Sequence, residues 1–371
     1  MTMPAGRRAF ALGLASALLG PRAAPASGAL LGARAASAPG ASAEDIADWR
    51  HFLARFLTPE GRIVDTGNGG ISHSEGQGWA MLCATYFDDR ATFDRAWNWT
   101  RRHLRRRGDA LFAWRWKPGE PMTPADQYNA LDGDLFIAAA LVRGARVWGD
   151  ADLAGHGQAI ARDILRLCLR PAGRWLMLLP AVSGFEQRDR IIVNPSYYAF
   201  PALRLLAEAL PDPVWLRLAH DGMAMLRMAR FGRWGLPPDW ISLTKSDGTA
   251  ALPKAWRPRF SYDAVRIPLY MAWAGLSEEP AVESAVNFWL DARHRHLPAW
   301  VDLISDEISP YPAEAGIQSI RYMVVASRGL IDGSYPRAGW PSPVVLSGDY
   351  YSSVLCILSK LAWRDILTER T

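Results

Sequence analysis

The sequence is poor in the residue types that build disulfide frameworks and metal sites. It has 3 cysteines and 7 histidines among 371 residues. Cys83, Cys168 and Cys356 lie far apart inside apolar runs, a pattern typical of small core residues. Since no cysteine or histidine pair has the spacing of metal ligands, we expect no bound metal and no other cofactor.

The N-terminus has no acidic residue before Glu44. Arg7 and Arg8 precede the apolar stretch Ala9 to Gly20, and a run of small residues follows as far as Ala43. This order predicts an export signal over residues 1–43, cleaved near Glu44 and of the twin-arginine type. An uncleaved membrane anchor is the alternative, but the apolar stretch is shorter than the roughly 20 residues of a spanning helix. We therefore expect a periplasmic or secreted protein with no membrane span after cleavage.

The remaining chain, residues 44–371, has little excess charge of either sign. Without the four arginines of the leader, the formal net charge falls from +5 to about +1. The densest basic run, Arg101 to Arg107, is interpreted as the solvated end of a helix. We expect no nucleic-acid partner.

Strand-like alternation is scarce in the mature chain, whereas helical periodicity recurs throughout it. Some predicted helices are apolar nearly all round and others carry a charged face, as in an inner ring of helices surrounded by an outer ring. The pattern predicts an all-α fold, an (α/α)6 barrel forming one domain over 44–371, with a two-domain helical bundle as the alternative. One more helix could lie in Trp300 to Ile308 or in the tail. The predicted helices are Ala43 to Leu57, Ser74 to Phe87, Ala91 to Leu104, Asp132 to Trp148, Ala151 to Leu169, Pro195 to Leu210, Pro213 to Met228, Ser261 to Trp273, Pro280 to Arg293, Gly316 to Ser327 and Asp349 to Trp363.

One inner helix begins with a carboxylic acid among small residues. Ser74 and Gln77 have the spacing of a capping box, which places Glu75 at the first helical position. Gly76 and Gly78 are poor helix residues, so we expect something, most naturally a ligand, to approach the backbone there.

The other predicted inner helices also begin with polar residues. If these helices run parallel around a barrel, their N-terminal ends meet at one mouth. Each acid alone can be explained as a helix cap, but together they suit hydrolysis of a glycosidic bond, which needs one acid and one base. Tryptophans of the long connecting loops suit stacking on sugar rings. The three acids are Glu75, Asp132 and Asp263, with Tyr197 and Tyr262 nearby, and the tryptophans are Trp114, Trp116, Trp234 and Trp240.

Several motifs resemble glycoside hydrolase family 8. Ser74 to Gly78 is similar to the segment around the family's proton donor, and Asn129 to Ala140 resembles its signature of Ala, Ser or Thr, Asp, Gly, Asp. The resemblance is to the endoglucanases found beside bacterial cellulose synthases. The sequence departs from the family pattern at Leu131, Gly144 and Trp79-Ala80. Further matches, in the family's order, are Phe112 to Trp116, Asn194 to Tyr197, Pro238 to Trp240 and Phe260 to Arg266.

The resemblance implies an exported endo-β-1,4-glucanase that inverts the anomeric carbon, with Glu75 as general acid and Asp263 as general base. It implies that Asp132 binds and distorts the sugar at the cleavage point, and that Arg266 holds a carboxylate in place. The implied partners are a β-1,4-glucan and the machinery of cellulose synthesis and export. Further implied substrate-binding residues are Tyr197, Tyr262, Trp114, Trp116 and Asp134.

Three alternatives stay open. The same family includes chitosanases and xylanases, and a chitosanase needs extra acids to receive amino groups. A non-catalytic glycan-binding or export accessory protein could keep the barrel without turnover. A polysaccharide lyase would typically use Tyr, His or Arg residues for proton abstraction. His73 beside Glu75 is the nearest candidate for such a residue.

Overall fold

The computed structural model describes residues 41–331 and 342–370, which are mostly helical. Residues 1–40 of the predicted export signal and 332–341 of the predicted loop Gly329 to Gly348 lie outside the described residues. Within the described part, no helix is both long and apolar enough to cross a membrane. The helices there are α1 (Ala43–Phe56), α2 (Ser74–Tyr86), α3 (Arg90–His103), α4 (Leu131–Trp148), α5 (Ala151–Leu167), α6 (Phe200–Ala209), α7 (Pro213–Met228), α8 (Arg266–Trp273), α9 (Pro280–Trp289), α10 (Ala315–Ser327) and α11 (Tyr350–Arg370).

Six helices form a closed inner ring. Each packs against the next in the order α2, α4, α6, α8, α10, α11, and α11 returns to α2. Helices α1, α3, α5, α7 and α9 pack on the outside of this ring. The predicted (α/α)6 barrel is therefore confirmed.

Burial explains why the sequence shows two kinds of helix. In α2, eleven of the thirteen residues are buried, whereas in α5 only five of seventeen are. An inner helix has neighbours on every side, so it is apolar all round, while an outer helix needs one apolar face. One hydrophobic core extends from Trp49 in α1 to Ile366 in α11.

In the described part of the chain, the connections between helices form four small antiparallel sheets. The first pairs Ser72 with Trp116, and the backbone N–H of Ser74 donates to the carbonyl of Trp114 at 3.0 Å. The loop that carries Trp114 is thereby held beside the start of α2. The strands are β1 (Ser72–His73), β2 (Arg115–Trp116), β3 (Leu169–Ala172), β4 (Trp175–Leu178), β5 (Arg190–Val193), β6 (Ile241–Thr244), β7 (Ala250–Ala251), β8 (Arg259–Phe260) and β9 (Val301–Asp302).

Two inner helices begin later than predicted, and proline explains both cases. A helix starting at Pro195 or Ser261 would put Pro201 or Pro268 in its interior, where the ring clashes with the carbonyl four residues back. Instead α6 begins at Phe200 and α8 at Arg266, so each proline falls in the first turn.

Two further expectations about helices need correction. The segment Trp300 to Ile308 contains β9 and a turn rather than an additional helix. Helix α11 does not end at Trp363 but continues to Arg370.

The glycines at the start of α2 make room for protein rather than for a ligand. A Cβ on Gly78 would lie 2.8 Å from the backbone nitrogen of Ile137 in α4, and one on Gly76 would lie 2.8 Å from the Tyr350 hydroxyl. In return, a Cβ on Gly133 would overlap the hydroxyl of Ser74. Helices α2 and α4 thus pack backbone to backbone, and the expected ligand approach at Gly76 and Gly78 was wrong.

A buried ion pair joins the first helix to the last. Lys360 of α11 is 5% exposed, and its Nζ lies 2.6 Å from the carboxylate of Asp48 in α1. Asp48 also accepts the backbone N–H of Val344 at 3.0 Å. Burial lowers the pKa of Lys360, but the bond to Asp48 and the nearby acids Asp45 and Glu44 outweigh it and leave that pKa raised.

Candidate active site

Residues at or just before the N-terminal ends of the six inner helices line one cleft. The cleft has a volume of about 560 Å³. It contains the predicted acids Glu75, Asp132 and Asp263, so the expected convergence of helix starts is confirmed. Its other lining residues are Asp65, Gly67, Asn68, His73, Ser74, Trp114, Ala130, Tyr197, Tyr262, Arg266, Glu314, Asp349 and Tyr351.

Arg266 links the carboxylates of the cleft. Its Nη1 donates to Glu75, and its Nη2 donates to Asp263 at 2.6 Å and to the Ser196 hydroxyl at 3.0 Å. The carboxylate of Asp132 lies 3.8 Å from Nη1. Arg266 is 3% exposed, so one buried guanidinium lies between three acids and fixes the spacing of Glu75 and Asp263.

The carboxyl groups of Glu75 and Asp132 are neighbours in the cleft, and this proximity affects the pKa of Asp132. Burial, followed by the charge of Glu75, raises the pKa of Asp132 well above its usual range, and a hydrogen bond to Glu75 adds to the shift. The buried site therefore favours the protonated form of Asp132.

Asp263 lies in the turn before α8 rather than at a helix start. Desolvation raises its pKa, and the charge of Asp132 acts in the same direction. Arg266 and the side chains of Asn194 and Trp240 lower it, but the net shift is upward. Tyr197 lies across the cleft, where burial and the charges of Asp132 and Asp263 raise its pKa and keep the phenol protonated.

The predicted capping box at Ser74 is wrong, because β1 extends to His73 and makes that residue the N-cap of α2. The Nδ1 atom of His73 accepts the N–H of Gly76 at 3.0 Å, so the proton of the neutral imidazole is on Nε2, 3.3 Å from Asp65. Gln77 instead turns inward, where it accepts the N–H of Ile63 at 2.6 Å.

Asp134 was predicted to bind substrate, but it lies beneath the cleft and is 0% exposed. Its carboxylate accepts the N–H of Phe112 at 2.8 Å and the side-chain amide of Asn129 at 2.8 Å. Burial raises its pKa to about 8. Asp134 therefore anchors the loop that carries Trp114. Leu131, where the family has a hydroxyl, is also fully buried outside the cleft lining.

Of the four loop tryptophans, only Trp114 lines the cleft. Trp116 packs edge-on against Trp99 at 5.7 Å, which does not agree with its predicted place in the glucan cleft. The Trp234 indole donates to Asp291 at 3.0 Å, so that side chain is structural. Trp240 stacks on a neighbouring aromatic ring, and its indole reaches Asp263.

Sequence reasoning did not single out Asp65, Glu314, Asp349 and Tyr351, which also line the cleft. Asp349 and Tyr351 stand at the start of α11, an inner helix, so the rule that identified Glu75 and Asp132 could have found them. Tyr351 donates to the backbone carbonyl of Tyr262, which is 40% exposed at the cleft rim.

The mouth of the helical barrel contains paired carboxylates that bind the same arginine. This arrangement defines the class of protein, the glycoside hydrolases. Comparison with known proteins specifies the family. The sequence profile of glycosyl hydrolases family 8 matches residues 21–365, and the chain belongs to this family.

Relatives and solved structures agree with this assignment. A probable endoglucanase of Novacetimonas hansenii is 40% identical over 314 residues, which are 85% of this chain and 89% of that protein. The structure of endo-β-1,4-glucanase CMCax from Acetobacter xylinum superimposes with a TM-score of 0.81 at 37% identity, covering 87% of this chain and 99% of the other. Endoglucanase Cel10 of Klebsiella pneumoniae gives a TM-score of 0.79 at 36% identity, covering 86% and 99%.

Proposed function

We propose that this protein is an exported endo-β-1,4-glucanase that cleaves cellulose with inversion. The observation that carries the proposal is the pairing of Glu75 and Asp263 through Arg266 in a cleft open to a polymer. Its support also includes the relatives named endoglucanase, which match most of this chain.

In this mechanism Glu75 protonates the leaving glycosidic oxygen and Asp263 removes a proton from the attacking water. In this step Glu75 donates a proton while its carboxyl group contacts Arg266. Asp132 is a neighbouring acid, and burial followed by the charge of Glu75 raises its pKa well above the usual range. When a sugar enters and contacts Asp132, a proton on that carboxyl group can pass to Glu75 and then to the leaving group.

Asp263 meets the opposite requirement. Arg266 at 2.6 Å favours its carboxylate form and opposes the effect of burial, which is larger and leaves the pKa of Asp263 raised. Tyr197 and Tyr262 line the space beside it, where they can position the water or the sugar. Trp114 offers a flat surface on which a glucose ring can stack.

The decisive experiment measures reducing ends and the anomer of the first product, with soluble cellulose derivative, chitosan and xylan as substrates. Glu75→Gln and Asp263→Asn should each lower turnover on the preferred substrate by at least about 1,000-fold, since each removes one half of the acid and base pair. Undiminished hydrolysis in both variants would contradict the site assignment. Retention of the anomer would contradict inversion, and an inactive wild type would favour the binding-protein alternative.

A chitosanase is the second candidate, because one observation favours it. Asp65, Glu314 and Asp349 add three carboxylates to the cleft, and burial followed by the charge of Asp349 raises the pKa of Glu314. Acids of this kind could receive the amino groups of chitosan. Faster hydrolysis of chitosan than of the cellulose derivative, lost in Glu314→Gln, would decide for it.

Export and association with cellulose synthesis belong to the same proposal and rest on the residues of the leader and on the family resemblance. Full-length protein should be found outside the cytoplasm, and replacing Arg7 and Arg8 by lysine should retain it inside. Co-purification with the cellulose synthase complex would test the partner.

A further inference from the structure

Asp239 is a buried carboxylate whose side-chain partners all belong to the turn before α8. It is 7% exposed. Its Oδ1 accepts the backbone N–H of Ser261 at 2.9 Å and that of Ala264 at 2.8 Å, and its Oδ2 accepts the Ser261 hydroxyl. These contacts hold the backbone on both sides of Tyr262 and Asp263.

Two backbone N–H groups of this turn need a hydrogen-bond acceptor from another segment of the chain. Helix α8 has Val265 as its N-cap, with no side-chain hydrogen bond to the helix start. Within the turn, Val265 donates to the carbonyl of Ser261 at 2.9 Å and Arg266 to that of Asp263 at 3.2 Å. The two N–H groups of Ser261 and Ala264 would be left unpaired without a carboxylate from another segment, at a cost typical of buried polar groups.

Asp239 itself is fixed in place. Its backbone N–H donates to the carbonyl of Arg259 at 2.7 Å, and β6 begins two residues later at Ile241. The next residue, Trp240, reaches the carboxylate of Asp263 with its indole. The segment Pro238 to Trp240 therefore supports Asp263 in two ways. Asp239 holds the backbone of the turn, and Trp240 interacts with the Asp263 carboxylate.

Asp239 keeps this position at an energetic cost. Burial, followed by the charge of Asp263, raises its pKa to about 7. Its three donors are neutral groups, and no described residue forms an ion pair with it. A buried carboxylate with neutral donors is expensive, which suggests that the geometry it imposes has a function.

We propose that Asp239 is a positioning residue for Asp263: it holds the Ser261 to Ala264 turn so that the Asp263 carboxylate faces both Arg266 and the cleft. This inference rests on the role proposed above for Asp263 as the general base. Tyr351 attaches the same turn from the opposite side through the carbonyl of Tyr262.

The test compares Asp239→Ala, Asp239→Asn and Ser261→Ala by steady-state kinetics on soluble cellulose derivative. In Asp239→Ala the base is misplaced, so kcat should fall about 10- to 100-fold while KM stays within about twofold. Asp239→Asn retains a carbonyl oxygen for both N–H groups and should recover most of kcat. Ser261→Ala loses one donor and should fall between wild type and Asp239→Ala, which keeps the proposal testable should the latter not fold.

Asp221→Ala is the matched control. Asp221 is also buried, at 6% exposure, and accepts the backbone N–H of Leu176 at 2.8 Å, but it does not line the cleft. Its replacement should lower the melting temperature and leave kcat of the folded protein unchanged. If Asp239→Ala behaves like this control, or if Asp239→Asn is as impaired as Asp239→Ala, the positioning role is wrong.

Asp263→Asn separates this inference from the proposed function. If that variant keeps full turnover, Asp263 is not the base and the proposed mechanism fails. If that variant is inactive while Asp239→Ala retains wild-type kcat, only the positioning role fails.

Discussion

Replacing Arg266 with methionine tests the electrostatic organisation of the cleft. The guanidinium is the cation that contacts Glu75 and Asp263 and lies 3.8 Å from Asp132. Methionine fills a similar volume without charge. Breaking a buried ion pair by removing one partner costs about 3–5 kcal/mol of unfolding free energy.

The size of this loss should depend on pH. In the wild type, Arg266 lowers the pKa of Asp263, which burial has raised. Without the guanidinium that pKa rises further, so the folded variant binds a proton that the unfolded chain releases above about pH 4. Each such proton destabilises the fold by about 1.4 kcal/mol per pH unit until the folded pKa is passed. The variant should therefore lose up to about 2.7 kcal/mol more at pH 7 than at pH 5.

The measurement is denaturant unfolding at pH 5 and pH 7, together with turnover on soluble cellulose derivative. Arg230→Met is the control, because Arg230 bonds to Gly235 and Ser284 and has no carboxylate partner among the described residues. Its effect should be small and the same at both pH values. A loss in Arg266→Met that does not change with pH, or that is no larger than the control, would refute this account of the cleft.

Three further predictions concern the buried ion pair of Lys360, the packing of α2 on α4, and substrate binding by Trp114. Lys360→Met should cost about 3–5 kcal/mol by leaving Asp48 buried without a cation, measured by unfolding at neutral pH. The raised pKa of Lys360 means that its contribution is present below about pH 10 and is lost as the pH rises through the folded pKa. Gly133→Ala should cost about 3 kcal/mol and reduce turnover, because its Cβ displaces the start of α2, whereas Gly155→Ala, whose Cβ meets no atom within 4 Å, should stabilise by about 0.5 kcal/mol. Trp114→Ala should raise KM for the cellulose derivative up to about 10-fold with kcat and melting temperature nearly unchanged, and an unaltered KM would remove Trp114 from the binding surface.

The helical elements could be predicted from the sequence because helix formation and burial follow a local period. Most helix bounds agree within three residues, and the convergence of Glu75, Asp132 and Asp263 followed from the placement of polar residues at helix starts. The incorrect predictions arose where one local sequence pattern is compatible with two different structures. Ser74 had the spacing of a cap, but strand β1 extended to His73 and moved the cap by one residue.

The export signal and the roles of Glu75, Asp132 and Asp263 stay predictions. The places of Asp134 and Trp116 could not be predicted, because an aspartate at a helix start or a tryptophan in a loop is equally compatible with the cleft and with the interior. Only their neighbours in space distinguish these outcomes.

The sequence by itself determined the helical barrel, the family motifs and three of the acids at its mouth, Glu75, Asp132 and Asp263. The tertiary structure decided which polar atoms meet. Glu75 and Arg266 are separated by 191 residues, and their contact exists only because α2 and α8 belong to the same closed ring. Hydrophobic periodicity sets each helix and its buried face within a few turns of chain, whereas the raised pKa of Asp132 and the support of Asp263 by Asp239 depend on burial and distances that arise after all the helices have packed.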